Sequence, residues 1–231
     1  MWIFMAMLFD TTMALPGEVN VIAVNSNGVD LRVVEGDSLK RKISIADAEG
    51  IDEPSIEVSG DTLKISIKCK RERRVYLFGL IASSGCFEDA KVTLVLSGRW
   101  RSLLVDGDYS DFSLESGDRV SGIFINSSYG DFHLKNSTLA DAVLKTGYGD
   151  IRVRNITALN LNVSTDYGDV RMEDVNSRKI FAYSDYGDLT FVNVHAEEMD
   201  VETDYGDIRL KNVRVPYLKA DTHFGDMIIN K

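Results

Sequence analysis

Apolar residues recur at fixed places in the second half of the chain, with a period of 19 residues. The period is marked by the tripeptide Tyr-Gly-Asp, which occurs five times and is followed by one Phe-Gly-Asp. Counted from the glycine, apolar side chains stand at positions −7, −5, +2 and +4, and a Ser or Thr stands at −3. Alternation with a period of two indicates β-strands, whose successive side chains point to opposite faces. Each unit therefore has several short strands and no room for a helix.

Two corners are predicted in every unit. The inward alternation changes phase across Gly-Asp, which indicates a turn, and glycine can reach positive φ there without a Cβ clash. We expect Gly149, Gly168, Gly187 and Gly206 to take positive φ or another geometry that favours glycine. Six residues after the glycine stands an Asn or Asp, and these residue types tolerate the left-handed conformation of turns. These second-corner residues are Asn136, Asn155, Asp174, Asn193 and Asn212.

The repeat predicts an all-β fold, a single-stranded parallel β-solenoid (β-helix) with coils of about 19 residues, each stacked on the one before at about 4.8 Å. The N-terminal half is rich in strands but irregular. We expect a single domain over residues 1–231. Its parts are an N-terminal cap at 1–17, irregular coils at 18–98 with an excursion at 68–90, and regular Tyr-Gly-Asp repeats at 99–231.

Composition and charge restrict partners and location. The net charge of −10 and the pI near 4.8 argue against a nucleic-acid partner, because such proteins carry basic stripes. The apolar run at residues 1–9 lacks the positive n-region of a signal peptide and is too short to span a bilayer, so it is predicted to cover the first coil. Without a recognisable signal peptide the cytoplasm is the default location. Cys69 and Cys86 bracket the excursion, and the sequence leaves open whether they are bridged.

Basic residues beside an apolar tip form a candidate surface-binding site in the excursion. Such a combination can dock on an anionic membrane or on a protein partner. The alternative, which we favour, is an excursion that folds back on the solenoid with its charges in solvent. The candidate residues are Lys68, Lys70, Arg71, Arg73, Arg74, Leu77 and Phe78.

Columns of aspartates form the candidate chemistry of the repeats. Paired carboxylates hydrolyse glycosides in some enzymes, and calcium takes oxygen ligands. We favour a structural role instead, in which the glycines and aspartates form a turn ladder and nearby arginines, Arg152, Arg171 and Arg209, compensate the charge. No catalytic residue, metal site or cofactor is therefore expected. The ladder residues are Gly130, Gly149, Gly168, Gly187, Gly206, Gly225, Asp131, Asp150, Asp169, Asp188, Asp207 and Asp226.

The tyrosines of the repeats are expected to be structural, and the histidines are expected to lie apart from one another. The tyrosines share the parity of the inward positions, which favours a structural aromatic stack over an exposed strip for sugars. His133, His195 and His223 fall at three different places in the repeat, so they predict no metal cluster.

Two units, at residues 164–175 and 202–213, and the strand Gly-Asp-Thr-Leu-Lys-Ile-Ser-Ile at 60–67 carry a family resemblance. Both units contain Thr-Asp-Tyr-Gly-Asp, an apolar residue and Arg. They resemble the putative adhesin family of bacteria and archaea, a domain of unknown function, over roughly residues 18–231. The resemblance implies a single β-solenoid, frequently at the cell envelope, without catalytic residues. The envelope is thus the alternative location.

The sequence predicts a non-catalytic scaffold or binding module, with a protein or an envelope component as partner. The alternatives are a carbohydrate-active β-helix that uses the aspartate columns, and a membrane-associated module that makes peripheral contact through residues 68–82. The last unit stops soon after the inward Met227 and Ile229. Exposed strand edges invite pairing, so a homodimer through this uncapped end is expected.

Overall fold

The computed structural model describes residues 11–14, 19–36, 42–75, 81–86, 90–115 and 120–230. Every regular element among these residues is a β-strand, which confirms the all-β solenoid. The strands are β1 (Thr11–Ala14), β2 (Val21–Asn27), β3 (Asp30–Glu35), β4 (Lys42–Glu49), β5 (Ser55–Ser59), β6 (Thr62–Lys68), β7 (Arg71–Val75), β8 (Ile81–Cys86), β9 (Lys91–Ser97), β10 (Trp100–Asp108), β11 (Phe112–Glu115), β12 (Val120–Ser127), β13 (Phe132–Thr146), β14 (Ile151–Thr165), β15 (Val170–Ser184), β16 (Leu189–Thr203), β17 (Ile208–Lys211), β18 (Tyr217–Thr222) and β19 (Met227–Asn230).

Each regular coil has three sides. Strands β13 to β16 are 15 residues long, and each pairs in parallel with the next at a constant offset of 19 residues. In β14 the paired segments are 151–154, 156–158 and 160–165, with Asn155 and Leu159 outside the ladder. The two unpaired residues and the bend that follows Thr165 are the corners of a triangular cross-section.

The Asn corner adopts the predicted conformation. The φ angles at this position lie between 50° and 55° from Asn136 to Asn212, in the left-handed region. The side chains also form a ladder, in which Asn155 Nδ2 donates to Asn136 Oδ1 at 2.8 Å and Asn193 Nδ2 donates to Asp174 Oδ1 at 2.8 Å. Asn thus serves both the backbone geometry and the contact between coils.

The core lies inside the triangle and is built from the predicted inward columns. One coil contributes five core side chains, each with at most 1% of its surface exposed: Ile151, Val153, Ile156, Leu161 and Val163. Each stands in register with an apolar residue of the next coil. Full burial of such a side chain stabilises the fold by about 1.5–3 kcal/mol. The core therefore grows along the axis as coils are added.

The order of the coils at the N-terminal end differs from the expected stacking of each unit on the one before. Strand β2 lies between β6 and β10, and β3 lies between β9 and β11. The parallel coils therefore start with β2 and β3 in the second coil, continue in the outermost parallel coil with β6 and β9, and then return to the other side of β2 and β3. Only long-range strand pairing determines this order, and the repeat pattern does not contain it.

The two ends of the solenoid are not alike. At the N-terminal end, β4 covers the edge of β9 and β5 covers the edge of β6, both antiparallel, and β1 pairs with β4. The rest of the predicted cap at 1–17 lies outside the described residues. At the other end, β18 and β19 pair with the preceding coil, and no further described strand lies beyond them. Leu218 and Ile229 are exposed there, and the homodimer through this end stays a prediction.

The corner glycines are needed for a reason other than the one expected first. Gly149, Gly168, Gly187 and Gly206 do not take positive φ, so that part of the prediction is wrong. Their backbone instead approaches the preceding coil very closely. A Cβ on Gly168 would lie 1.9 Å from the carbonyl oxygen of Gly149, and the same approach recurs at the other three. This close approach is the alternative, glycine-favouring geometry that the sequence analysis allowed.

Replacing a corner glycine by alanine should destabilise the solenoid, whereas a matched strand glycine should tolerate the change. Gly168→Ala forces the corner backbone apart, and we expect the free energy of unfolding to fall by about 1–3 kcal/mol. Gly122 is the control, because its Cβ would meet atoms no closer than 3.6 Å. Urea unfolding followed by circular dichroism gives both values. Equal stability of the two variants would contradict the close approach.

Candidate functional site

A buried hydroxyl connects each glycine corner to the one before it. Thr165 Oγ1 accepts a hydrogen bond from Gly168 N at 3.1 Å and donates to the Gly149 carbonyl at 3.0 Å. Ser184, Thr203 and Thr222 make the same pair of bonds in the following coils. Backbone groups at a buried turn must be satisfied, and the Ser or Thr at position −3 satisfies two of them.

The aspartates after the glycines form a second ladder at this corner. Asp169 N donates to Asp150 Oδ1 at 3.0 Å, and Asp188 N donates to Asp169 Oδ1 at 2.8 Å. The same bond recurs at each step from Asp111 to Asp226. One oxygen of each carboxylate from Asp111 to Asp207 therefore holds the next coil, as a corner cap does.

Arginine neutralises part of the aspartate column. Arg152 contacts Asp150 at 2.8 Å, and Arg209 contacts Asp207 at 2.6 Å and also pairs with Asp188. Arg171, which was expected to serve the same column, pairs with Glu173 on its own strand instead. An alternative partner two residues away on the same outward face explains this difference.

The electrostatics at Asp188 favour an ionised carboxylate. Burial is the largest single influence and opposes its ionisation, but the hydrogen bonds from Arg209 and from the backbone N–H of Asp207, together with the charge of Arg209, outweigh burial, and the pKa of Asp188 lies below its ordinary value. A glycosidase acid needs a raised pKa so that it can hold its proton. The aspartate column is therefore poorly suited to supply a general acid at this position.

The aromatic column is stacked as expected, but it lies on the surface and not in the core. Rings from Tyr109 to Phe224 stack with centroids 4.5–4.9 Å apart and interplanar angles of 2–9°. Tyr148 is 55% exposed. The strand alternation ends at the residue before the bend, so the inward parity does not extend to the tyrosine. Stacking covers the ring faces that a sugar would need, except at the two ends of the column.

One cluster of metal-ligating groups joins the acids to a histidine. Ligand atoms of Glu202, Asp204 and His223 lie within 4.8 Å of one another. The positions of the histidines alone do not indicate this cluster, because His223 takes the repeat position that Asp204 has in the preceding coil. His223 Nδ1 already lies 3.2 Å from Asp204 Oδ1. An exposed, internally paired cluster does not by itself indicate a metal.

The candidate surface-binding residues lie in and beside a hairpin of β7 and β8. Lys68 and Lys70 are exposed. Arg71, Arg73 and Arg74 stand on β7, while Leu77 and Phe78 fall outside the described residues. Peripheral membrane contact by this segment stays a prediction. No helix in the described part of the chain has the length and apolar character to cross a membrane.

A groove on one face of the solenoid was not foreseen from the sequence. It has a volume of about 620 Å³ and crosses β5, β6, β2, β10, β12 and β13. These strands lie side by side in that order, so at about 4.8 Å per strand the groove is about 24 Å long. We call it the axial groove, since it runs along the solenoid axis.

The axial groove has one mostly apolar and one mostly polar wall. Ala23, Leu104, Phe124 and Val143 are in register on one side, and Leu104 and Phe124 are 37% and 41% exposed. Two residues further along each strand lie the polar side chains Asn25, Asp106, Asn126 and Lys145. Asn126 Nδ2 donates to Asp106 Oδ1 at 2.9 Å.

Comparison with known proteins places the chain among β-solenoid domains. The sequence profile described as Toastrack DUF4097 matches residues 19–231, which confirms the resemblance seen in the Tyr-Gly-Asp units. No curated protein matches the sequence of the chain.

Several solved structures match nearly the whole length of the chain. One is a putative adhesin from Bacteroides fragilis, with 16% identity, a TM-score of 0.58 and 95% of each chain covered. Another putative adhesin, from Parabacteroides merdae, has 12% identity, a TM-score of 0.49 and 96% of each chain covered. A putative lipid binding protein from Parabacteroides distasonis has 15% identity, a TM-score of 0.48, and covers 95% of this chain and 96% of its own. At such low identity the Bacteroides fragilis structure shows the fold alone.

The aspartate ladder can be tested by comparing two substitutions at one position. Asp169→Asn retains an oxygen that can accept the N–H of Asp188 and should change stability slightly. Asp169→Ala removes this acceptor and should lower the free energy of unfolding by about 1 kcal/mol. Urea unfolding of both variants is the measurement. Equal loss in the two variants would show that charge, and not the hydrogen bond, is what the column contributes.

Proposed function

The chain belongs to the Toastrack DUF4097 family, and we propose that it is a non-catalytic binding module that holds its ligand in the axial groove. The observation that carries this proposal is the groove itself. Its volume of about 620 Å³ falls in the range of ligand sites, which are typically 300–1,000 Å³ and combine apolar walls with a few polar groups. The groove thus combines size, shape and mixed chemistry.

The acidic groups of the groove support binding without hydrolysis. Glu57 and Asp106 are its carboxylates. Glu57 lies on β5 and Asp106 on β10, three strand spacings away, which is about 14 Å. Glycoside hydrolases hold their two carboxyl groups about 5–9.5 Å apart. A carbohydrate-active enzyme that uses the aspartate columns is less well supported, because those carboxylates accept backbone N–H bonds and several also pair with arginine.

The state of Cys69 supports a location outside the reducing cytosol, at the cell envelope. Cys69 is disulfide-bonded, and the sequence contains one other cysteine, Cys86. Structural disulfides persist in the periplasm, on cell surfaces and in secreted proteins and are rare in the cytosol. The disulfide would fix the base of the hairpin of β7 and β8, where Cys86 ends β8.

A ligand screen with a groove variant tests the binding function. Purified protein is exposed to four classes of compound, namely neutral sugars, acidic sugars, fatty acids and short peptides, and binding is followed by nuclear magnetic resonance. We expect at least one class to bind, and Phe124→Glu to abolish binding because it introduces a charge into the apolar wall. Turnover of a bound compound, or the lack of any groove ligand in all four classes, would refute the proposal.

The redox state of the cysteines in native cells tests the location. Cells are quenched in acid, and the protein is labelled with a maleimide polymer before and after reduction. We expect no label before reduction and two labels after it. The Cys86→Ser variant, in which Cys69 has no partner, is the control that should take one label without reduction. Two labels on the unreduced native protein would place it in a reducing compartment and remove the support for the envelope.

A further inference from the structure

We infer that the axial groove binds a neutral, linear carbohydrate chain; this rests on the proposed binding function and names its ligand class. The first argument is the arrangement of the walls. Leu104 and Phe124 offer apolar surface on one side, and Asn126, Asp106 and Asn25 offer amide and carboxylate groups on the other. A pyranose ring has the same division, with C–H groups on its faces and hydroxyls around its rim.

The aromatic side chain of the groove differs from the tyrosine column in the neighbours it has. The faces of the stacked tyrosine rings are covered by their neighbours 4.7–4.9 Å away. Phe124 has aliphatic neighbours in register, Leu104 and Val143, and is 41% exposed. The electron-rich face of an aromatic ring attracts the weakly positive C–H groups of a sugar. Phe124 is the aromatic side chain that lines the groove, so a sugar in the groove would meet this ring and not the tyrosine column.

The backbone around the groove argues against a peptide ligand. Strands β6, β2, β10 and β12 each have a hydrogen-bonded neighbour on both sides. A peptide cannot join these four strands by edge addition, which is the usual source of its main-chain hydrogen bonds, and β5, which pairs with β6 alone among the described strands, lies at the end of the groove away from Phe124. A peptide would have to cross the strands, with its own N–H and C=O groups served by a few side chains.

The polar wall argues against a fatty acid or a lipid chain. An acyl chain in the groove would remove water from Asn25 and from the donor and acceptor positions that Asn126 and Asp106 keep free beside their mutual bond, and it would offer no hydrogen bond in return. Burying polar groups without partners is unfavourable. Sugar hydroxyls both donate and accept, so they match a wall that mixes amide donors with carboxylate acceptors.

The charge and the length of the groove define the sugar further. Its ionisable side chains are Glu57, Asp106, Lys64 and Lys145, two acids and two bases, so they cancel. A neutral sugar fits this balance better than an acidic or a basic polysaccharide. A length of about 24 Å exceeds a single sugar ring several times, so a linear oligosaccharide is the ligand that would fill it.

The test begins with an array of neutral linear oligosaccharides, including the β-1,4-linked hexamers of glucose, xylose and mannose. The best ligand is then titrated by calorimetry into the full chain. Phe124→Ala should weaken binding on the order of tenfold, and Phe124→Trp should retain it. Asn126→Ala should weaken binding by about three- to tenfold, the value of one lost hydrogen bond.

Two matched controls lie on the same face outside the groove. Phe181 is 39% exposed and stands in the same outward column as Phe124. Asn160 donates Nδ2 to Asp141 Oδ1 at 2.7 Å, as Asn126 does to Asp106. Phe181→Ala and Asn160→Ala should leave the affinity unchanged. Equal losses in the control and groove variants would overturn the assignment of the sugar to the groove.

The outcomes separate this inference from the broader proposal. Failure of every neutral oligosaccharide on the array overturns the sugar assignment. If a fatty acid or a peptide then binds and Phe124→Glu abolishes that binding, the binding module stands and only the ligand class is wrong. If no compound of any class binds in the groove, both the inference and the proposed function fall.

Discussion

The close approach of consecutive glycine corners is the constraint on which the rest of the solenoid depends. Neighbouring strands in a sheet are about 4.8 Å apart, and at the corner the next coil passes so near that a Cβ on Gly168 would meet the Gly149 carbonyl at 1.9 Å. Glycine makes room for this approach, and the hydroxyl of Thr165 then bonds both coils. Because every corner repeats the same contact, the coils stay in register, and like side chains stand above one another in columns.

Column formation also decides which repeated groups remain available for ligands. Tyrosine rings in register cover one another's faces, and aspartates in register bond the N–H of the next coil. The most conspicuous residues of the sequence are thus largely engaged in holding the coils together. A binding surface is more readily formed in an outward column whose residue type changes from coil to coil. Leu104, Phe124 and Val143 are consecutive apolar residues of such a column, which continues with Asn162, Phe181, Asp200 and Lys219.

Much of the regular half of the fold follows from the sequence. The strand order of the first coils and the axial groove depend on pairings that the 19-residue repeat does not contain. The inward columns and the left-handed corner at Asn155 were predicted because both are local consequences of residue type. The tyrosines lie outside the core, contrary to the prediction, because the strand ends at Thr165 and its alternation does not continue to Tyr167. Strand β2 lies between β6 and β10 through pairings distant in sequence. The groove was missed for the same reason, although the outward positions of Leu104 and Phe124 could have indicated it.

The irregular stacking of the first coils accounts for the position of the axial groove. Its floor and walls come from strands that are far apart in the sequence, with β2 inserted between β6 and β10. Strand β12 is held on both sides by backbone hydrogen bonds to β10 and β13, so Phe124 and Asn126 project from a rigid surface. A ligand that binds such a surface loses little free energy to ordering the protein. Affinity would then depend mainly on how well the ligand matches the two walls, which makes substitution of single wall residues informative.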